Sequence, residues 1–157
     1  MRLKHTSPVW KICKSIGFGG EINIGWVRRT LARGEDVNSK DGDNQTGLIY
    51  AVSHRWNNEI VKLLLEQPSL DLNCVNNKGN TALLWATIND NVEGVRLLLA
   101  DPRLNSINHK GLDGRTPVMK AMMMGSSNEI IEELAVHPSV DLDTRDAEGR
   151  SLEDAAK

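Results

Sequence analysis

The 157-residue chain has few of the residues from which catalytic, metal and disulfide sites are built. Its two cysteines, Cys13 and Cys74, form no CxxC pair, and its four histidines follow no metal-binding spacing such as HExxH. A zinc site and a disulfide framework are therefore not expected. Neither GxSxG nor GxxxxGKS/T occurs, so neither a hydrolase nucleophile nor a nucleotide phosphate loop is indicated. We predict no enzymatic activity, no metal and no cofactor.

Long runs of one chemical character are also missing. The net charge is −2, and like charges form no extended block. No segment approaches the roughly 18 apolar residues that a membrane span needs, and residues 1–8 lack the apolar stretch of a signal peptide. We therefore expect no nucleic-acid partner and no membrane partner. We also expect a monomer in a reducing compartment, the cytoplasm or alternatively the nucleus.

The sequence does contain a regular period. Two sets of residues recur every 35 positions, eight residues apart from each other: Thr46, Thr81, Thr116 and Ser151, and Asn38, Asn73, Asn108 and Asp143. A period of about 20 to 50 residues is typical of solenoids, in which one supersecondary unit stacks on the next. We predict an all-α solenoid of stacked helix-turn-helix units with extended finger loops.

Each unit begins with a turn residue followed by a helix cap. Glycine or asparagine stands two residues before each member of the first set: Asn44, Gly79, Gly114 and Gly149. These residue types tolerate a positive φ. The hydroxyl oxygen that follows can accept a backbone N–H of the first helical turn. A short first helix and a leucine-rich second helix then follow, and the second helix is expected to end near Pro68, Pro102 or Pro138.

Several motifs recur in register over residues 7–156. They are Gly79-Asn80-Thr81-Ala82-Leu83 with Ala86, Gly114-Arg115-Thr116-Pro117-Val118 with Ala121, Val61-Lys62-Leu63-Leu64-Leu65, Asp36-Val37-Asn38 and Asp71-Leu72-Asn73. In these motifs the chain resembles the ankyrin-repeat family. It departs from the family at the position that usually holds histidine, where it has Ile49, Leu84 and Met119. The prolines named above stand where the family usually has glycine.

The resemblance implies one domain over residues 1–157. It divides into an N-terminal capping repeat (7–40), full repeats over 41–75, 76–110 and 111–145, and a partial repeat over 146–157. Gly17-Phe18-Gly19-Gly20 is expected to form the turn of the capping repeat. Two interpretations of the partial repeat stay open: it is a natural cap, with Glu153 and Asp154 near its helix start, or the array continues.

The resemblance also implies a working surface, since the family binds partners on a concave face lined by the finger tips and the exposed side of each first helix. The residues expected there are Asp43, Gln45, His54, Trp56, Asn77, Lys78, Asn80, Asn89, Asp113, Arg115, Met123, Met124 and Arg150. The finger charges change from acidic at Asp43 to basic at Lys78, Arg115 and Arg150. We expect exposed side chains here, so that substituting Asn80 or Arg115 affects stability little.

These features favour a non-enzymatic protein-protein interaction module that binds a protein partner through its concave face. Two alternatives remain. The repeat count and chain length resemble those of small ankyrin-type kinase inhibitors, and a structural spacer within a larger scaffold protein would use the same fold. The framework residues do not identify the partner, because the solenoid architecture is shared by proteins with unrelated ligands.

Overall fold

The computed structural model describes residues 8–15 and 24–155. The helices in this part are α1 (Val9–Ser15), α2 (Ile24–Ala32), α3 (Gly47–Val52), α4 (Asn58–Leu65), α5 (Ala82–Ile88), α6 (Val92–Leu99), α7 (Pro117–Met124), α8 (Asn128–Ala135) and α9 (Leu152–Ala155). A single 3-10 turn over Arg55–Asn57 precedes α4. The predicted turn at Gly17-Phe18-Gly19-Gly20 lies outside the described residues, and the predicted repeat boundaries remain predictions.

The helices form two rows. The first helices pack in the order α1, α3, α5, α7 and α9, and the second helices in the order α2, α4, α6 and α8. The first helices α1, α3, α5 and α7 also pack on the second helix of their own unit. The loops between units turn back as fingers, and in the described ranges their β structure is limited to one isolated bridge between Lys40 and Thr46. Val37 and Asn38, in the segment that the sequence marks as strand-like, lie in a turn. The predicted all-α solenoid is confirmed.

The predicted left-handed turns are present in every unit. Asn44, Gly79, Gly114 and Gly149 have φ values of 57°, 71°, 71° and 78°. Gly114 is constrained a second time, because a Cβ added there would lie 2.4 Å from the backbone nitrogen of Ala147 in the next finger. Glycine is thus required at this position both by backbone conformation and by close packing.

The predicted hydroxyl caps form at two of the three full units. The Oγ1 atoms of Thr46 and Thr81 each accept a backbone N–H three residues later at 3.3 Å. Thr116 has the same extended backbone, but its Oγ1 is buried and has no partner within the described structure. The helix still starts here because Pro117 fixes a helical φ and removes one amide donor that would need a partner.

The core runs continuously through the stack. Ile49, Leu84 and Met119, which replace the family's usual histidine, are at most 1% exposed. Apolar packing therefore takes the place of the hydrogen bond that histidine makes in the family. Ala51, Ala86 and Ala121 are fully buried between adjacent first helices, where a small side chain allows the helices to approach closely.

The asparagines of the second 35-residue set join neighbouring units. The Asn38 side chain donates to Ser69 O at 2.7 Å and accepts from Asp71 N at 2.8 Å. Asn73 makes the same two-way contact with the next unit, to Arg103 O and from Asn105 N. The third member, Asn108, repeats it with Ser139 and Asp141. Each contact needs one donor and one acceptor, which a primary amide supplies.

Candidate protein-binding surface

The fingers are held against the first helices by one residue in each full unit. Tyr50 donates its hydroxyl to Asp41 Oδ2, Trp85 lies 5.8 Å from the Lys78 ammonium, and Lys120 lies 2.6 Å from Asp113 Oδ2. These three residues are 35 positions apart and point from the first helices toward the fingers. The concave face is therefore defined here as the finger turns together with this side of α3, α5 and α7.

Most fingers are closed internally by one side-chain oxygen. Asp41 Oδ1 accepts the backbone N–H groups of Asp43 and Gln45, both at 2.9 Å. Asn76 and Asp146 do the same in the second and fourth fingers. The third finger has Gly111 at this position, and a side-chain oxygen closes its turn through one 3.4 Å hydrogen bond, from Arg115 N to Asp113 Oδ1. Its backbone is closed as in the other fingers, with Gly111 N donating to Arg115 O at 3.0 Å, and Lys120 holds Asp113 from outside the turn.

Adjacent fingers are also bonded to each other. Asn77 donates its backbone N–H to Asp43 O at 2.9 Å, and its side-chain oxygen accepts from Asn44 Nδ2 at 2.7 Å. Ala147 N donates to Asp113 O at 3.3 Å. The finger tips therefore form a connected edge in which part of the polar surface is already used.

The structure distributes the predicted site residues over three classes of exposure. Asp43, Asn77, Lys78 and Met124 are exposed. Those half-buried are Gln45, His54, Asn89, Asp113, Arg115, Met123 and Arg150. Trp56 lies in the 3-10 turn, but its side chain falls outside the described part. Asn80 is buried and 7% exposed, so its assignment to an open finger tip is wrong.

Asn80 is buried because the third finger packs beside it. A Cβ added at Gly111 would lie 3.5 Å from Asn80 Oδ1. The Asn80 backbone also closes its own finger, since its N–H donates to Asn76 Oδ1 and its carbonyl accepts from Asn76 N. The contact between Gly111 and Asn80 joins residues about thirty positions apart, so the local sequence pattern does not reveal that Asn80 is buried.

The predicted change of finger charge is largely cancelled within the protein. Arg115 Nε lies 3.3 Å from Asp146 Oδ2, and Arg150 Nε lies 2.9 Å from the same oxygen. Arg115 Nη1 also contacts Asp113 at 3.2 Å. The Arg115 side chain is 18% exposed and the Asp146 side chain 1%. The expectation that Arg115 is an open charge is therefore wrong, and we now expect its replacement to lower stability.

The charges and hydrogen bonds of this cluster lower the pKa of one carboxyl group, that of Asp146. Burial alone would raise the pKa of Asp146, but hydrogen bonds from Arg150, from the backbone of Glu148 and Arg150, and from Arg115 outweigh it. The net effect is a pKa held far below the ordinary carboxyl range. Asp146 is therefore a charged structural anchor between two fingers.

One feature of this surface went unrecognised in the sequence. The 35-residue spacing of Tyr50, Trp85 and Lys120 is a signal that could have identified the residues that hold the fingers. Leu112, a finger-tip position that the resemblance also implies, is 80% exposed at the tip of the third finger. The corresponding residues of the other fingers are Gly42, Asn77 and Ala147, so a large apolar side chain at this position is specific to the third finger.

Two further properties of the described residues bear on other functions. No helix there combines the length and apolar character that crossing a membrane requires. The same residues contain no group of three or more His, Cys, Asp or Glu side chains arranged to hold a metal ion.

Comparison with known proteins extends the repeat assignment. A putative ankyrin repeat protein of Fowlpox virus is 34% identical over 129 residues, covering 78% of this chain and 35% of that protein. BCL-6 corepressor-like protein 1 from Homo sapiens is 37% identical over 118 residues, covering 73% of this chain and 6% of its own length. The human transient receptor potential cation channel subfamily A member 1 is 36% identical over 73 residues, covering 46% of this chain and 6% of its own length.

The chain thus spans about a third or less of the length of these relatives. The family model described as ankyrin repeats in three copies matches residues 22–110, more than half of the chain. Its match covers α2 to α6 and the first two full fingers. The chain belongs to the ankyrin-repeat family.

Proposed function

We propose that the chain binds a protein partner through its concave face and catalyses no reaction. Ankyrin repeats form protein-protein interaction modules, and the family is typically non-enzymatic. The observation that carries the proposal is that Lys78, Leu112 and Met124 project from the concave face while hydrogen bonds between units hold most of its backbone. A surface that is already ordered loses little conformational entropy when it binds.

The opposite surface supports this choice of face. On the second helices, Lys62 lies 3.0 Å from Glu59, and Arg96 contacts both Glu129 and Glu133 at 3.1 and 2.7 Å. These charges have partners within the protein. We propose the cytoplasm or the nucleus as the location, because Cys13 and Cys74 are both free thiols.

The test compares two double variants with the unmodified protein. The concave variant is Lys78→Glu with Leu112→Asp, and the matched control on the second-helix side is Lys62→Glu with Val136→Asp. Leu112 and Val136 are 80% and 76% exposed, so the two variants make equivalent changes. Proteins captured from cells are identified by mass spectrometry, and the affinity of the main one is measured by calorimetry.

We expect the concave variant to lose the partner and the control variant to keep it, with melting temperatures within a few degrees of each other. The proposal fails if the control variant loses the partner while the concave variant binds normally.

A further inference from the structure

One position on each second helix faces the second helix that follows it. Aligned on the buried Leu64, Leu98 and Leu134, the helices α4, α6 and α8 have at this position Lys62, Arg96 and Glu132. Arg96 of α6 contacts Glu133 and Glu129 of α8 at 2.7 and 3.1 Å. A cation on α6 thus pairs with acidic side chains of the next helix.

The same arrangement holds between α4 and α6. The pKa of Lys62 is raised by Glu59 of its own helix and also by the charge of Glu93 on α6. Glu93 is the equivalent of Glu129 on α8. Second helices inside the stack therefore present a cation to acidic partners.

The sign of this charge is reversed on α8, the last second helix of the described chain. Glu132 is exposed and takes part in no ion pair within residues 8–15 and 24–155. Because Glu132 has the position of Arg96, its carboxylate faces a place that no second helix of this part of the chain occupies. An acidic group there favours a basic neighbour.

Two apolar residues at this end are less covered than their equivalents inside the stack. Val61 and Val95 are fully buried, but Ile131 at the same position of α8 is half-buried. Leu142, at the base of the fourth finger, is 48% exposed, whereas its equivalent Ile107 is 5% exposed. We define the end surface as Ile131, Glu132, Leu142 and Asp143.

Asp143 adds an acceptor to the end surface. Its equivalent, Asn108, contacts the segment after the next second helix, accepting from Asp141 N and donating to Ser139 O, both at 2.8 Å. A carboxylate keeps the acceptor and loses the donor. Asp143 therefore suits a backbone N–H or a cation of whatever lies beside it.

An open cavity of about 270 Å³ adjoins the end surface. It is lined by Leu142, Asp143, Arg145, Ser151, Leu152 and Glu153. Arg145 is the one cationic residue of this lining, and its Nη1 donates to Gly149 O at 2.9 Å. The two leucines give the cavity an apolar part, and the two carboxylates lie beside it. The cavity can thus accept an apolar side chain next to a basic one.

We propose that the end surface binds a basic amphipathic helix of a partner protein, packed on α8 as α8 packs on α6. The charge of this end determines the choice of a basic helix, because residues 128–157 contain nine Asp and Glu and only three Lys and Arg. A helix bound in this way is recognised through residues about one turn apart on one of its faces. The site is separate from the concave face.

The contact between α8 and α6 defines the pattern of the ligand. Glu129 and Glu133 of α8 face Arg96, and a buried apolar residue follows each of them. The ligand helix therefore needs two basic residues four positions apart, to pair with Glu132. It also needs an apolar residue after each of them, to cover Ile131.

The experiment is a nuclear magnetic resonance titration of the labelled full chain with a synthetic peptide. The peptide is built on alanine and glutamine, is about 16 residues long so that it forms a helix, and carries two Arg-Leu pairs in this spacing. One control peptide has Glu-Leu pairs, and a second has Arg-Ala pairs. We expect saturable shifts at the amides of Ile131, Ala135 and Leu142, with a dissociation constant of about 0.1 to 1 mM. The Arg-Ala peptide binds roughly tenfold more weakly, and the Glu-Leu peptide does not saturate.

Two matched pairs of variants locate the site. Glu132→Lys weakens binding of the Arg-Leu peptide roughly tenfold, whereas Glu66→Lys, at an exposed position just after α4, leaves it unchanged. Leu142→Ser weakens binding several-fold, whereas Val136→Ser does not, because its equivalent Ala100 is exposed even inside the stack. Glu132→Lys also binds the Glu-Leu peptide more tightly than the unmodified protein does.

The proposal is overturned by shifts that do not saturate, by equal binding of the Arg-Leu and Glu-Leu peptides, or by equal effects of Glu132→Lys and Glu66→Lys. If Leu142→Ser lowers stability, the Glu132→Lys result still decides, since that side chain is exposed. The concave variant Lys78→Glu with Leu112→Asp keeps peptide binding. Failure of the end surface and failure of the concave face are therefore seen in different measurements.

Discussion

Residues at equivalent positions perform different tasks in successive units. Thr81 Oγ1 accepts Leu84 N at 3.3 Å, while Thr116 Oγ1 is buried without a partner in the described part of the chain. A buried hydroxyl that makes no hydrogen bond has a desolvation cost with nothing to offset it. From the sequence alone, both threonines are predicted to cap a helix in the same way.

The difference can be measured with one substitution at both positions. Thr81→Val removes a helix cap and is expected to lower the free energy of unfolding by about 1 kcal/mol. Thr116→Val replaces an unpaired hydroxyl with a methyl group of similar size and is expected to change it by less than about 0.5 kcal/mol, or to raise it. Urea unfolding of both variants gives the comparison, and equal losses would contradict the assigned contacts.

The Asp146 cluster predicts how stability depends on pH. Because the folded pKa of Asp146 lies below the unfolded value of about 4, its charge stabilises the fold above that pH. This contribution is lost as the pH falls further, through the folded pKa. Asp146→Asn should lower the melting temperature at pH 7 and give a shallower fall below pH 4. If the melting temperature of Asp146→Asn falls below pH 4 as steeply as that of the unmodified protein, Asp146 does not anchor the fingers.

The two cysteines should differ in reactivity. Burial raises the pKa of Cys13 to about 12, so at pH 8 about one molecule in 10,000 carries the thiolate. The pKa of Cys74 is also raised, by burial and by its hydrogen bond to Asp71, but this thiol is half-buried. Iodoacetamide should add once to the native protein, at Cys74, and twice in guanidinium chloride, as read by mass spectrometry. Rapid native labelling of Cys13 would contradict its burial.

At the scale of elements, the joints between units depend on the asparagine side chains. Asn73→Asp keeps the acceptor for Asn105 N but loses the donor to Arg103 O and places a charge beside that carbonyl oxygen. We expect a loss of about 1 to 2 kcal/mol in the free energy of unfolding. Asn105→Asp, at a neighbouring exposed position, is the control and should cost little. Similar urea midpoints for the two variants would contradict the joint.

Local chemistry explains which elements were predictable. The positive φ at Gly79, the cap at Thr81 and the helix end before Pro102 each depend on a few neighbouring residues, so a 35-residue pattern reveals them. The burial of Asn80 and the pairing of Arg115 with Asp146 depend on contacts between fingers. Those contacts follow from the stacking distance, which no single repeat encodes.

At the scale of the molecule, the stack is a linear chain of interfaces. Each first helix packs mainly on the first helices before and after it, and α1, α3, α5 and α7 also pack on the second helix of their own unit. A solenoid built this way gains stability as a sum of units and nearest-neighbour interfaces. A weakened joint should therefore act locally.

Hydrogen exchange of Asn73→Asp tests this locality. Protection should fall most in α4 and α6, whose loops meet at Asn73, and least in α8, one interface away. Exchange is read amide by amide, with Asn105→Asp as the reference. A uniform loss of protection over all helices would show that the stack unfolds as one cooperative unit.

The Gly111 position has a thermodynamic consequence for recognition. Leu112 sits at the tip of a finger whose turn is closed by one side-chain hydrogen bond of 3.4 Å, where each other finger has two at 2.9 to 3.0 Å. In place of the second bond, Asp113 forms ion pairs with Lys120 and Arg115 at 2.6 and 3.2 Å. Salt weakens ion pairs that are partly exposed more than it weakens hydrogen bonds between neutral groups. A partner that contacts Leu112 should therefore bind with an affinity that depends more on ionic strength than the affinity of a partner that contacts the second finger, which the neutral Asn76 closes.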